Sequence, residues 1–135
     1  MLHFKTTELE RQFSQDIHEL LRHRLYSLVG MVAYRFGKDI TVTHLVRTQA
    51  QQDEIYKDDK QYMVKKWTSV HQVVPCRGAD IRISDFTPEE LLSIQCFLNY
   101  HSHYYGYRKP ICFPERDHYH IQVLSKEIFG GVNAR

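Results

Sequence analysis

Two short segments with a two-residue alternation constrain this chain more than any other feature. Asp39-Ile-Thr-Val-Thr-His-Leu-Val46 interleaves branched apolar residues with polar ones, and Ala79-Asp-Ile-Arg-Ile83 repeats the pattern. Successive side chains of an extended strand point to opposite faces, so each segment has an apolar face to bury and a polar face to leave open. A sheet covered on one face follows, and other elements must supply the cover. Helical spacing does so at Leu9, Phe13, Ile17, Leu20, Leu21 and Leu25, which follow a Thr7-x-x-Glu10 capping box. The pattern predicts a long helix from about residue 7, with Gly30 as a candidate break and an end before Gly37.

Downstream, the polar, Gln-rich stretch Thr48 to Tyr56 predicts a short helix, and the charged segment Lys57–Lys66 predicts a loop that is a candidate lid or rim. Thr87-Pro-Glu-Glu90 is a second capping box with Pro at the first helical position, predicting a helix to about Asn99. Tyr100–Lys109 is aromatic, basic and turn-like around Gly106, and short strands are expected at Ile111–Phe113 and Tyr119–Leu124. The expected fold is α+β, a small antiparallel sheet flanked by helices, in one domain spanning residues 1–135. A chain of 135 residues has room for one core, and it carries no repeat, linker or low-complexity stretch.

Charge and composition exclude several classes. Eighteen basic and sixteen acidic residues give a net charge of +2 with the signs interspersed, so no basic block suggests nucleic-acid binding. The longest apolar run, Leu25 to Tyr34, is too short to span a bilayer, and the first residues lack the pattern of a signal peptide. The expected location is the cytoplasm at synthesis, and the expected state a monomer. Three widely spaced cysteines, Cys76, Cys96 and Cys112, suit a reducing compartment and read as small buried hydrophobes.

The chemistry-bearing residues are His71, Asp80 and the cluster Asp117-His118-Tyr119-His120, each near a strand or strand end. A catalytic zinc site uses three N or O ligands and keeps a position open for water. Two His and one Asp meet that need, and a carboxylate outside the ligand set must take the water's proton. Asp117-x-x-His120 would carry such a carboxylate beside a ligand. His118 competes with His120 for the ligand role, since alternate residues of a strand share a face; both point to the metal or neither does. Cys76 is a further candidate ligand, and Glu115 a weaker candidate base than Asp117.

At these residues the chain resembles the zinc D,D- and L,D-peptidases, the D-alanyl-D-alanine carboxypeptidase family that includes phage endolysin domains and shares its fold with the hedgehog signalling domain. The first family motif, Ser-x-His followed by a Gly/Ala turn and Asp, is matched by Ser69-Val-His71-Gln-Val-Val-Pro-Cys-Arg-Gly-Ala-Asp80. The second, an acid followed by two residues and then His, is matched by Asp117-His-Tyr-His120, and the upstream strand-Arg-Ser/Thr-Gln by Thr43-His-Leu-Val-Arg47-Thr-Gln-Ala-Gln51. The family usually has six residues between the first His and the Asp; this chain has eight, so that loop must bulge. Lengthening a surface loop costs only about 0.6 kcal/mol per doubling.

The resemblance implies zinc held by His71, Asp80 and His120, with Asp117 as general base. It implies that Arg47 stabilises an oxyanion or grips a substrate carboxylate with Gln51 supporting it, and that Gln51, Ser69 and His118 are further substrate-binding residues. The implied substrate is a peptidoglycan stem peptide or another short D-amino-acid peptide, cleaved by a phage enzyme released onto the wall or by a cytoplasmic enzyme acting on recycled fragments. A second reading is a zinc-binding module of the same fold that has lost catalysis, and a third is a metal-free interaction domain.

Overall fold

The computed structural model describes residues 1–129. Among them are six helices and one five-stranded mixed sheet, an α+β arrangement. In chain order the elements are β1 (Leu2–Phe4), α1 (Thr7–Gln15), α2 (Glu19–Phe36), β2 (Ile40–His44), α3 (Gln49–Ile55), α4 (Lys60–Lys65), β3 (Gly78–Arg82), α5 (Pro88–Tyr104), β4 (Cys112–Glu115), β5 (His118–Gln122) and α6 (Ser125–Phe129). The strand order is β1-β2-β3-β5-β4. All neighbours are antiparallel except β1 and β2, which are parallel. The expectation of an antiparallel sheet is corrected by β1 alone, whose three residues are too few to show a period. A parallel pair needs a long crossover, and α1 with α2 provides it.

Strand register turns the alternation into two distinct faces. In the β3–β5 ladder Ala79 stands opposite Ile121 and Ile81 opposite Tyr119, while Asp80 stands opposite His120 and Arg82 opposite His118. The first set joins Ile40 and Val42 against Leu9 and Phe13 of α1, Leu21, Leu25, Leu28 and Val32 of α2, and Ile94 and Leu98 of α5 to make the core. The second set lies on the other face. An irregularity in β2 lets Val42 stand across from Ile81 on the covered face while His44 stands across from Asp80 on the open one. Bulges of this kind re-aim a side chain beside a site.

Several boundaries differ from the sequence expectations. The first helix is capped by Thr6, whose hydroxyl accepts from the Leu9 amide at 3.2 Å, one residue before the expected Thr7. It breaks at Asp16–His18 and not at Gly30, because those residues bond elsewhere: the Cys76 amide donates to the Asp16 carbonyl at 2.9 Å and the His18 amide to the Cys76 carbonyl at 2.8 Å. The break therefore fixes the loop between His71 and Asp80 to the helical layer. α2 runs through Gly30 and stops at Gly37, whose φ of 63° is the left-handed cap that glycine tolerates.

The segment Lys57–Lys66, expected as a loop, contains α4, capped by Asp59 and anchored by the buried Tyr62. α5 begins with the expected Thr87–Glu90 capping box but continues five residues beyond Asn99, since no breaker precedes Gly106. Asn99 ties α5 to the sheet: its Oδ1 accepts from the Ile111 and Cys112 amides at 2.8 Å each, and its Nδ2 donates to the Cys112 carbonyl at 2.7 Å.

Gly30 is exposed in the middle of α2, and a Cβ built there meets nothing within 4 Å. Glycine in a helix interior costs about 0.5–1 kcal/mol relative to alanine. Gly30→Ala is expected to raise unfolding stability by that amount in a urea titration, with an unchanged slope against denaturant.

Candidate metal centre

Each member of the candidate triad is placed by a different local device. Asp80 sits in the central strand β3, and His120 stands directly across from it in β5. His71 comes from the loop before β3, where the Ser69 hydroxyl accepts from the His71 amide at 3.1 Å and the Arg47 amide donates to the His71 carbonyl at 2.9 Å. All three side chains are buried, His71 and Asp80 to 1% exposure. Their inward atoms form a small triangle: His71 Nε2 to Asp80 Oδ1 is 3.2 Å, His120 Nδ1 to Asp80 Oδ1 is 3.1 Å, and His71 Nε2 to His120 Nδ1 is 3.3 Å.

The outward nitrogens decide what that triangle can hold. His71 Nδ1 lies 2.6 Å from the Leu45 carbonyl, which can only accept, so Nδ1 carries the hydrogen and Nε2 presents a lone pair inward. Gln122 Nε2 donates to the Pro110 carbonyl at 2.9 Å, which turns Gln122 Oε1 toward His120 Nε2 at 3.1 Å. His120 Nε2 therefore carries its hydrogen, and Nδ1 is also bare toward the centre. Two bare imidazole nitrogens and a carboxylate oxygen at such distances repel unless they share a positive charge. Burial opposes ionisation of Asp80, so a carboxylate at this position calls for a positive charge at the centre of the triangle.

The geometry fits a metal ion. Ligands about 2.0–2.1 Å from a tetrahedral zinc stand about 3.3 Å from one another, close to the observed edges. These three residues form the buried group among the described residues that can hold such an ion, and imidazole with carboxylate suits several first-row metals. Outer partners of this kind fix ligand orientation. Gly78 completes the cradle: a Cβ there would lie 2.5 Å from Val70 Cγ2, 3.2 Å from His120 Cε1 and 3.3 Å from His71 Cε1.

The remaining expected residues surround this triangle. Arg47, 8% exposed, points Nη2 toward Asp80 Oδ2 at 3.7 Å and donates from Nη1 to Gln52 Oε1 at 2.7 Å. The glutamine that supports Arg47 is thus Gln52, fully buried, and not the expected Gln51, which is exposed and closes the α3 capping box with Thr48. Two adjacent glutamines in a polar helix look alike in sequence; only the inward helical position separates them.

His118 and His120 share a face, and both approach Asp80, His118 Nε2 lying 3.3 Å from Oδ2. Asp117 stands on the turn between β4 and β5, its side chain 98% exposed and its Oδ1 3.3 Å from His118 Nδ1, a contact that lowers its pKa. Ser69 holds the backbone of His71 and lines the adjoining cleft. Cys76 is buried 3.2 Å from the Gly78 carbonyl, and burial pushes its thiol up to about 11, the behaviour of a small core residue.

A cleft of about 200 Å³ opens beside His71 and His120, with Arg47, Ser69, Glu115, Tyr56 and Trp67 among its walls. Tyr56 and Trp67 belong to an aromatic cluster with Tyr62, the Tyr62 and Trp67 rings 4.9 Å apart. The candidate rim segment Lys57–Lys66 contributes Tyr62 behind this wall, while the wall itself is made by the flanking Tyr56 and Trp67. Sequence reading missed Gln52, Gln122 and the Leu45 carbonyl; the one available signal was Gln122, two residues after His120 and hence on the same strand face.

Comparison of the chain with protein-family models, curated proteins and solved structures gives no match.

Removing the outer partner of a ligand typically costs 10–100-fold in metal affinity. Gln122→Ala is expected to weaken zinc binding by that factor, measured by competition with a chromophoric chelator. Gly78→Ala should weaken it as well, because both imidazole rings must move.

Proposed function

We propose that the protein is a metal-dependent peptidase with the fold of the D-alanyl-D-alanine carboxypeptidase and hedgehog domains, acting on peptidoglycan stem peptides or similar short D-amino-acid peptides. The observation that carries the proposal is the convergence of three lone pairs from His71, Asp80 and His120 beside a cleft that also holds a buried arginine. A structural zinc site is usually closed by a fourth protein ligand, and none of the described residues joins these three. The substrate class follows from the resemblance of the three sequence motifs to that family.

A divalent ion, zinc in this reading, supplies Lewis acidity that polarises a carbonyl and makes water acidic enough to attack near neutral pH. The chain's own residues do the rest. Arg47, immobilised by Gln52 and Asp80, offers its remaining N–H groups to the oxygen of the scissile carbonyl or to a substrate carboxylate. Ser69 and Gln122 keep the two imidazoles in place. A carboxylate of the β4–β5 hairpin takes the water's proton and returns it to the leaving amine; Glu115 lines the cleft, and Asp117 stands on the exposed turn that follows. Tyr56 and Trp67 shield the reacting centre from bulk water.

Elemental analysis and hydrolysis assays on the same samples test the reading. Wild-type protein should carry about one zinc per chain and cleave peptidoglycan fragments; His120→Ala should lose both, and chelation followed by zinc should abolish and restore cleavage. Zinc without cleavage would favour the inactive binding module, and no metal after reconstitution would dispose of the site. Arg47→Lys, which keeps the charge but loses the fork, should lower kcat/KM by about 10²-fold with zinc retained.

A further inference from the structure

We infer that Glu115 is the group that takes the water's proton, and that Asp117 is a positioning residue acting through His118. The inference rests on the peptidase reading above and deepens it.

Strand parity favours Glu115. In the β4–β5 ladder Phe113 stands opposite His120 and Glu115 opposite His118, so Glu115 lies on the same face as the triad. It is half-buried and lines the cleft together with His71, His120 and Arg47. The Tyr56 hydroxyl, from the facing wall, makes a long contact of 3.5 Å to Glu115 Oε1 and orients the carboxylate across the cleft. Asp117 has none of these placements. Arg116, at φ 58°, and Asp117 form the turn itself, which carries the Asp117 side chain into solvent at 98% exposure.

Asp117 still touches the site, but indirectly. Its Oδ1 lies 3.3 Å from His118 Nδ1, and the other ring nitrogen, Nε2, is buried 3.3 Å from Asp80 Oδ2. Neither Nε2 nor Oδ2 has a hydrogen-bond partner among the described residues. Asp117 thus sets the ring of His118, and His118 confines the far oxygen of the ligand Asp80 while the near oxygen faces the triangle. In the reaction, the water oxygen bonds to the peptide carbon and its proton passes to Glu115. The proton then moves to the amine nitrogen as the C–N bond breaks, leaving a carboxylic acid and an amine with Glu115 ionised again; the acid's proton, the second from the water, passes to the amine to give carboxylate and ammonium.

The test compares Glu115→Gln, Asp117→Asn, His118→Ala and the Asp117→Asn/His118→Ala double variant, all zinc-loaded. A general base contributes about 10²–10⁴-fold. Glu115→Gln should lose at least about 10² in kcat with unchanged zinc affinity, and the acidic limb of its kcat/KM profile should disappear. Asp117→Asn should lose no more than about tenfold in kcat and keep that limb, while its zinc affinity falls several-fold; in the His118→Ala background it should change nothing further. Retention of kcat by Glu115→Gln, or a larger loss in Asp117→Asn than in Glu115→Gln, overturns the assignment. A zinc-loaded wild type that cleaves no stem peptide overturns the peptidase reading itself, a result distinct from either.

Discussion

Asp80 stands across from His120 in the β3–β5 ladder, and the buried Arg47, His71 and Gln122 are arranged around that pair. Side chains alternate along a strand, so the register that buries Ala79 and Ile81 against Ile121 and Tyr119 must also place Asp80 beside His120 on the opposite face. A slip of one residue would send the carboxylate into the core and Ile81 into the site. Hydrophobic burial, at about 25 cal/mol per Å² of apolar surface, therefore enforces the position of the site residues. Function is carried on the parity of the core.

A buried carboxylate among four histidines and an arginine is costly unless each charge has a partner. The surroundings of Asp80 divide that work between its oxygens. Oδ1 faces His71 and His120, while Oδ2 faces His118 at 3.3 Å and His44 and Arg47 at 3.7 Å each. The β2 irregularity matters here, because without it His44 would lie on the face of Val42 and the core would receive an imidazole. Leu45 and Gln122 then settle the tautomers, so the inward atoms of His71 and His120 are acceptors that face another acceptor, Asp80 Oδ1. Such an arrangement is stable with a cation at its centre and strained by repulsion without one, which couples metal binding to folding.

Much of this was legible in the sequence, and the limits of legibility are physical. His71, Asp80, His120 and Arg47 could be selected because residue type, strand ends and motif order agree, and the structure brings all four together. The alternation of residues 39–46 and 79–83 gave the covered sheet because a period of two needs only local information. What the sequence withheld depends on distant partners. The helix break at Asp16–His18 is made by Cys76, some sixty residues away, and leaves no local breaker. β1 is a strand only because β2 lies beside it. Gln52 differs from Gln51 by one step around a helix whose inward face is set by Arg47.

The eight-residue loop between His71 and Asp80 shows how the fold holds both ends of a loop while its middle runs free. Its middle extends outward, with Val74 92% exposed, while both ends are held: His71 through Ser69 and Arg47, and Cys76 between the Asp16 carbonyl and the His18 amide. Arg77 continues the constraint, its amide donating to the Val70 carbonyl and its carbonyl accepting from Val123. Loop length costs little, whereas moving a ligand by an ångström costs much. The α1–α2 junction, which in sequence looks like the interior of one long helix, is therefore part of the site's support. Breaking that helix costs about a turn of backbone bonding, and the bonds recovered by Asp16 and His18 with Cys76 replace them while fixing the loop that delivers His71.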